Sequence, residues 1–207
     1  DNKSTQVTDG MSDARYPAFD KDGKFLYFSA STDSGPSLQE DTQGLARPVS
    51  RSIYLLVLSR DEPSPLGPES DEERETEQKN SEFRSQKSEG EKPELVKPKA
   101  AEKVEVKIDF DNLGQRILAL PMPPRRYLSL QVGNAGVLYA VEQPSFYPSN
   151  PWLDPGPPMT VHRFDLKSRR SDVAVEGVRT FEISLNGEKM LYRQDDKWYV
   201  APPTPVS

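Results

Sequence analysis

The chain contains no cysteine and a single histidine, His162. Disulfides, thiolate metal sites and a cysteine nucleophile are therefore excluded. Carboxylates are left as the main source of metal ligands, and no metal or cofactor is expected. Long apolar runs are also missing. Nothing approaches the ~20 residues that a membrane helix requires. The N-terminus has no basic stretch leading into an apolar core, so no signal peptide is read there. Basic charge is in the minority, with a net charge of −6. A general nucleic-acid surface would be basic, so neither nucleic acid nor membrane is expected as a partner. A glycine-rich phosphate loop is missing too.

Against these absences stand 20 prolines, 29% charged residues and only 34% hydrophobic residues in 207. That balance is low for one compact domain. It fits an ordinary folded part diluted by a segment too polar to offset its ordering entropy. The dilution is local. From Asp61 to Lys103 the sequence is Glu, Lys, Ser and Pro, with Phe83, Leu95 and Val96 almost the only large apolar residues after Leu66. The reading is 1–60 as propeller blade, 61–103 as a disordered charged insertion, and 104–207 as further blades.

Blades are read from a repeated phrase. Arg15-Tyr-Pro-Ala-Phe-Asp-Lys-Asp-Gly-Lys-Phe-Leu-Tyr-Phe28 is two apolar runs joined at Asp22-Gly23. Asp-Gly between such runs is a strong hairpin signal, because Gly adopts the turn conformation without strain. The phrase returns at Arg179 to Tyr192 around Asn186-Gly187, without a gap, and more weakly at Arg126 to Tyr139. Third strands are expected at Ile53 to Leu58, Val161 to Leu166 and Trp198 to Val200. Fourth strands are expected at Arg116 to Leu120 and Asp172 to Val175, with none in the last copy. Two more strands are expected: residues 4 to 8, and Val104 to Phe110 with its period-two alternation. Four-stranded antiparallel units recurring about every 50 residues read as β-propeller blades. The fold class is therefore all-β, a partial β-propeller of about three blades. A closed ring usually needs at least ~4 blades. Together with a first residue that is Asp rather than Met, this points to a piece of something larger.

Several longer phrases carry a resemblance. They are Val7 to Ser31, Asp61-Glu-Pro-Ser-Pro-Leu-Gly-Pro-Glu-Ser-Asp71, Gln115-Arg-Ile-Leu-Ala-Leu-Pro121 and Gly187-Glu-Lys-Met-Leu-Tyr-Arg-Gln194. They resemble the propeller region of bacterial tricorn-like proteases. The resemblance implies a large serine peptidase that trims peptides, with propellers preceding a PDZ domain and a catalytic core. This segment would be the later part of the propeller before the PDZ domain. No catalytic residue carries over, so enzyme status is open for the segment and hydrolase is implied for the parent. The implied partners are peptide substrates, the remaining blades, and the PDZ and catalytic domains, in a homo-oligomeric parent. The implied location is cytoplasmic, with periplasmic as the alternative. The function that the resemblance implies for the segment is non-catalytic, guiding or gating peptide substrates and supporting assembly; a free-standing propeller-type binding module for a protein or carbohydrate is the alternative.

Candidate site residues are few. Arg15, Arg126 and Arg179 precede the first strand of each copy, and Arg125 adds a neighbour. Such arginines could form a partial basic ring at a channel mouth and steer acidic peptides, since guanidinium groups grip carboxylates in a bidentate way. Alternatively, each pairs with a blade carboxylate such as Asp13 or Glu182. His162, with no nucleophile or carboxylate constellation in sight, reads as structural or exposed rather than catalytic. Asp20-Lys-Asp-Gly23 reads as a β-turn and not a calcium loop, because a strand follows where ligands would have to be. In the Pro-rich loop 143–158, Tyr147 and Trp152 cap a blade edge or contact a substrate or a neighbouring domain.

Overall fold

The structure is a computed structural model that describes residues 4–31, 49–67, 104, 106–144 and 157–205. The chain divides into two units, Asp1–Pro65 with Glu105–Ser207, and Leu66–Val104. The first unit carries the fold. Expectations for most of the 31–51 loop, for most of the charged insertion, and for Phe146, Tyr147 and Trp152 fall outside the described residues.

Among the described residues ten strands run in order: β1 (Asp13–Phe19), β2 (Phe25–Ser31), β3 (Ser52–Val57), β4 (Ile117–Ala119), β5 (Tyr127–Val132), β6 (Val137–Glu142), β7 (Met159–Asp165), β8 (Arg170–Ile183), β9 (Met190–Gln194) and β10 (Lys197–Ala201). All pairings are antiparallel between neighbours. They form a sheet β1-β2-β3-β4 and a sheet β10-β9-β8-β7-β6-β5. The first sheet is one four-stranded blade. The second holds a four-stranded blade and a three-stranded one. This all-β arrangement is that of a partial propeller.

The two blades of the second sheet share a strand. Sequence reading separates 172–175 from 178–184, but β8 is continuous. Its first half pairs with β7 and its second half with β9. Gly177, at φ +71, lies at the changeover. A positive φ there bends the strand without the penalty a side chain would carry.

Both faces of β2 are covered. Phe28 and Ala30 join Leu56, Leu58 and Leu113 in one apolar cluster, while Phe25 and Tyr27 are buried on the opposite side. A second cluster contains Tyr139, Val141, Val161, Val175, Val178, Phe181, Met190 and Tyr192. It spans β6 to β9, so the shared strand sits in the middle of its own core.

Two expected strands do not form. Residues 4 to 8 are irregular, and only Val7 packs, against the first cluster. Val104 to Phe110 alternates in sequence, yet its described residues pair with no strand. Asp109 donates its N–H to the Leu58 carbonyl at 3.0 Å, and that contact does not propagate. Arg116 supplies what a ladder would have given. Its guanidinium donates to the carbonyls of Val57, Leu58, Asp109 and Asp111.

The three inner turns converge. Asp20 on the β1–β2 turn accepts the N–H of Gly136 on the β5–β6 turn at 3.0 Å. Lys21 donates to the Leu185 carbonyl on the β8–β9 turn at 2.7 Å. Gln131 of β5 bridges to Phe181 and Ile183 of β8.

Candidate functional site

The register separates the three repeat arginines. Phe25, Val137 and Lys189 close their turns by accepting the N–H of Asp20, Gly133 and Ser184. At equal distance beyond those residues, Ser29, Val141 and Arg193 face Arg15, Ser129 and Thr180. Only Arg15 stands on that rung. Arg126, whose carbonyl accepts the Gln143 N–H at 3.0 Å, takes the place that Asp13 holds in the first hairpin. Arg179 is the extra residue of a bulge between Val178 and Thr180. All three inner strands carry a bulge, and the middle turn is shorter, so a gap-free sequence match is not a match in register.

What the fold brings together is a chain of ionic contacts. Arg15 Nε donates to Asp13 at 2.9 Å, and Arg51 Nη2 donates to the other Asp13 oxygen at 2.6 Å. Arg51 is 1% exposed. Burial by itself would raise the Asp13 carboxyl. The two guanidiniums outweigh it and hold Asp13 below the usual carboxylate range. Arg51 also exchanges two backbone hydrogen bonds with Arg125, at 2.8 and 3.1 Å. Arg125 Nη1 straddles both oxygens of Glu142, at 2.9 and 3.0 Å. The same carboxylate lies 2.6 Å from His162 Nε2. His162 is buried, edge-on to the Tyr127 ring. It thus orients Glu142, a positioning arrangement in keeping with its structural reading.

Beside this chain lies an open depression of about 340 Å³. Val49, Pro123 and Pro124 form its apolar wall. Ser50, Arg125, Arg126 and Glu142 form its polar one. The wall is held from behind, because the Tyr127 hydroxyl donates to the Pro123 carbonyl at 2.8 Å. Arg15 reaches the depression only through Asp13 and Arg51. Arg179 does not line it.

A second polar feature is Asp20, 4% exposed. Burial, reinforced by neighbouring Asp22, pushes its carboxyl up to about 7, and the Gly136 N–H pulls the other way. The Tyr27 phenol beside it is raised by burial and by Asp20. Residues 20–23 form the expected β-turn, closed by Gly23 N–H to the Asp20 carbonyl at 3.1 Å. Among the described residues no group of His, Cys, Asp or Glu could hold a metal ion.

Arg51, Glu142 and Asp20 were not visible as site residues. The partners of each lie far away in sequence, so no local spacing announces them. Arg51 could have been suspected only as a charge directly preceding the most apolar strand.

No family model matches this chain. It is 29% identical over 191 residues to tricorn protease homolog 1 of Streptomyces coelicolor, a match covering 90% of the chain and 16% of that relative. Among solved structures, the crystal structure of the tricorn protease matches with a TM-score of 0.60 at 15% identity, over 95% of this chain and 16% of the other. The chain thus spans 16% of the length of either protein. The second match speaks for the fold alone. In sequence the chain is similar to part of a tricorn protease homologue, and in fold to part of the tricorn protease.

Proposed function

We propose that this chain is a non-catalytic β-propeller segment of a tricorn-like serine peptidase, and that it guides or gates peptide substrates. One observation carries the reading. The sequence match runs along 90% of the chain while occupying 16% of a protease homologue. The segment is built of blades, and among its described residues no nucleophile–His–carboxylate arrangement exists: the one histidine is spent on Glu142. Catalysis in this reading belongs to other parts of a longer polypeptide.

Guidance rests on the arginines. Arg15 and Arg125 belong to one run of ionic contacts around the junction of the first and second blades, and Arg126 lines the depression beside it. Arg15 and Arg125 are held by Asp13 and Glu142, which leaves Arg126 as the cation of the depression. Arg179 stands apart on β8, outside the lining of the depression.

The test is peptide hydrolysis by the 207-residue chain alone and by a longer tricorn-like polypeptide that includes it. The expected result is an inert segment and an active whole whose turnover drops when this segment's blades are disrupted. Hydrolysis by the segment itself would overturn the reading. So would full activity of the longer polypeptide with this segment removed.

A further inference from the structure

We infer that the depression beside Arg126 is a preformed subsite for one carboxylate flanked by an apolar group. The source of that ligand, a peptide, rests on the peptide-guiding reading. The subsite itself rests on the geometry of this chain.

Charge is the first argument. Two arginines and one glutamate line the depression. Arg125 and His162 both engage the glutamate. Arg125 is therefore neutralised in place, and the Glu142 carboxylate is taken up by Arg125 and His162. Among the described residues the Arg126 guanidinium has no carboxylate partner. One positive charge is left over in a half-enclosed space, which suits one anion. Guanidinium geometry favours a planar carboxylate gripped by two N–H donors.

Preorganisation is the second. The Arg125 backbone is tied to Arg51 in both directions, and the Arg126 carbonyl is tied to Gln143. Pro123 and Pro124 have fixed φ, and the Tyr127 hydroxyl anchors the first of them. Little ordering entropy remains to be lost on binding. The wall opposite the charge is apolar, formed by Val49 and the two prolines. A ligand with an aromatic or aliphatic group next to its carboxylate would fill both sides. An acidic side chain and a free peptide C-terminus present the same chemistry here.

The experiment uses the 207-residue chain and three probes. N-acetyl-Phe-Asp-amide carries a side-chain carboxylate. N-acetyl-Phe-Asn carries only a C-terminal one. N-acetyl-Phe-Asn-amide carries none. Binding is followed by amide and arginine side-chain NMR shifts at low salt. At least one carboxylate probe is expected to bind at least ~10-fold more tightly than the neutral one, the scale of a charge-assisted hydrogen bond. The shifts should centre on Ser50, Arg125, Arg126 and Glu142. Whichever carboxylate probe is preferred names the source. Arg126→Gln should erase the difference, Arg126→Lys should keep part of it, and Arg193→Gln, on a half-buried arginine of β9 paired with Asp196, should leave it intact. Equal binding of the neutral probe, shifts elsewhere, no binding at all, or an unchanged preference in a folded Arg126→Gln protein would each overturn the subsite. Should Arg126→Gln fail to fold, the wild-type shift map alone decides by the same criteria. The guiding reading fails separately, through peptide hydrolysis by the longer polypeptide, so the two can be told apart.

Discussion

Asp20 on the first inner turn receives the Gly136 N–H of the second, shared between its two carboxylate oxygens at 3.0 and 3.2 Å. A buried carboxylate thus links two blades through a single backbone donor. Its pKa stands at about 7, because burial outweighs that donor and Asp22 adds repulsion. Lys24, raised chiefly by its hydrogen bond to Glu62, is the nearby cation, and the Tyr27 phenol faces the same group. The unfolded value is 3.8. The unfolded chain therefore loses this proton at lower pH than the folded one. Stability is fully present below the unfolded value and is lost as pH rises through the folded one. Urea unfolding followed from about pH 4 to about pH 8 should show declining stability. Asp20→Asn keeps the acceptor for Gly136 and should flatten that decline. A parallel decline in wild type and variant would assign the slope to other groups.

Arg51 and Asp13 make the opposite case. The Asp13 pKa is lowered, so its contribution is present above the ordinary carboxylate range and is lost as pH falls through the folded value. Arg51→Met should destabilise by ~3 kcal/mol or more, because it leaves a carboxylate without its buried partner. Asp13→Asn combined with Arg51→Met should recover part of that loss. A double-mutant cycle by chemical denaturation measures the coupling, and strictly additive effects would contradict the pairing.

Gly187 is required twice. Its φ is +73, and a Cβ there would lie 2.7 Å from Asn134 Oδ1 and from the Gly133 carbonyl carbon. Gly187→Ala should therefore cost ~1–3 kcal/mol through backbone strain and the approach of two turns. Gly114 is the opposite case: a Cβ there would meet nothing within 4 Å, and its φ is not positive. Gly114→Ala should be neutral or mildly stabilising. Thermal melts of the two variants make the comparison, and equal losses would remove the argument from the turn contact.

Arg116 holds an irregular segment in place of a ladder. Arg116→Lys keeps the charge but cannot reach the carbonyls of Val57, Leu58, Asp109 and Asp111 together. A loss of ~2 kcal/mol is expected, along with faster hydrogen exchange of the Asp109 amide. Unchanged protection at Asp109 would show that the segment is held by other contacts.

The hairpins were legible in sequence because their turns need glycine and their strands alternate. Gly23 and Gly187 both sit at φ +73. Alternation misled at Val104 to Phe110. Val104, Val106 and Phe110 remain exposed there and only Ile108 packs, against the first cluster, so the pattern had almost no buried face to serve. Residues 4 to 8 have strand-forming composition but pair with no strand among the described residues. The site was legible as single arginines and not as an arrangement. Asp13 and Arg51 meet only after β1 and the third strand are placed. Glu142 meets His162 only through the pairing of β6 with β7. The place of the bulge moved Arg179 off the rung of Arg15, and the later, shorter middle turn moved Arg126 off it; no sequence feature marks where a bulge inserts its residue.

The uninterrupted β8 has a mechanical meaning. The second and third blades are laced into one hydrogen-bonded fabric, and pulling them apart means tearing ladder bonds in sequence. Between the first and second blades, the main-chain stitching among the described residues is the Arg51–Arg125 bridge, helped by side chains such as Asp20. Under strain the segment should open along that seam, and the seam runs beside the depression at Arg126. Widening it would shift Val49 and Ser50 against Pro123 and Pro124, so any load that spreads the blades would also reshape the space in which a ligand sits.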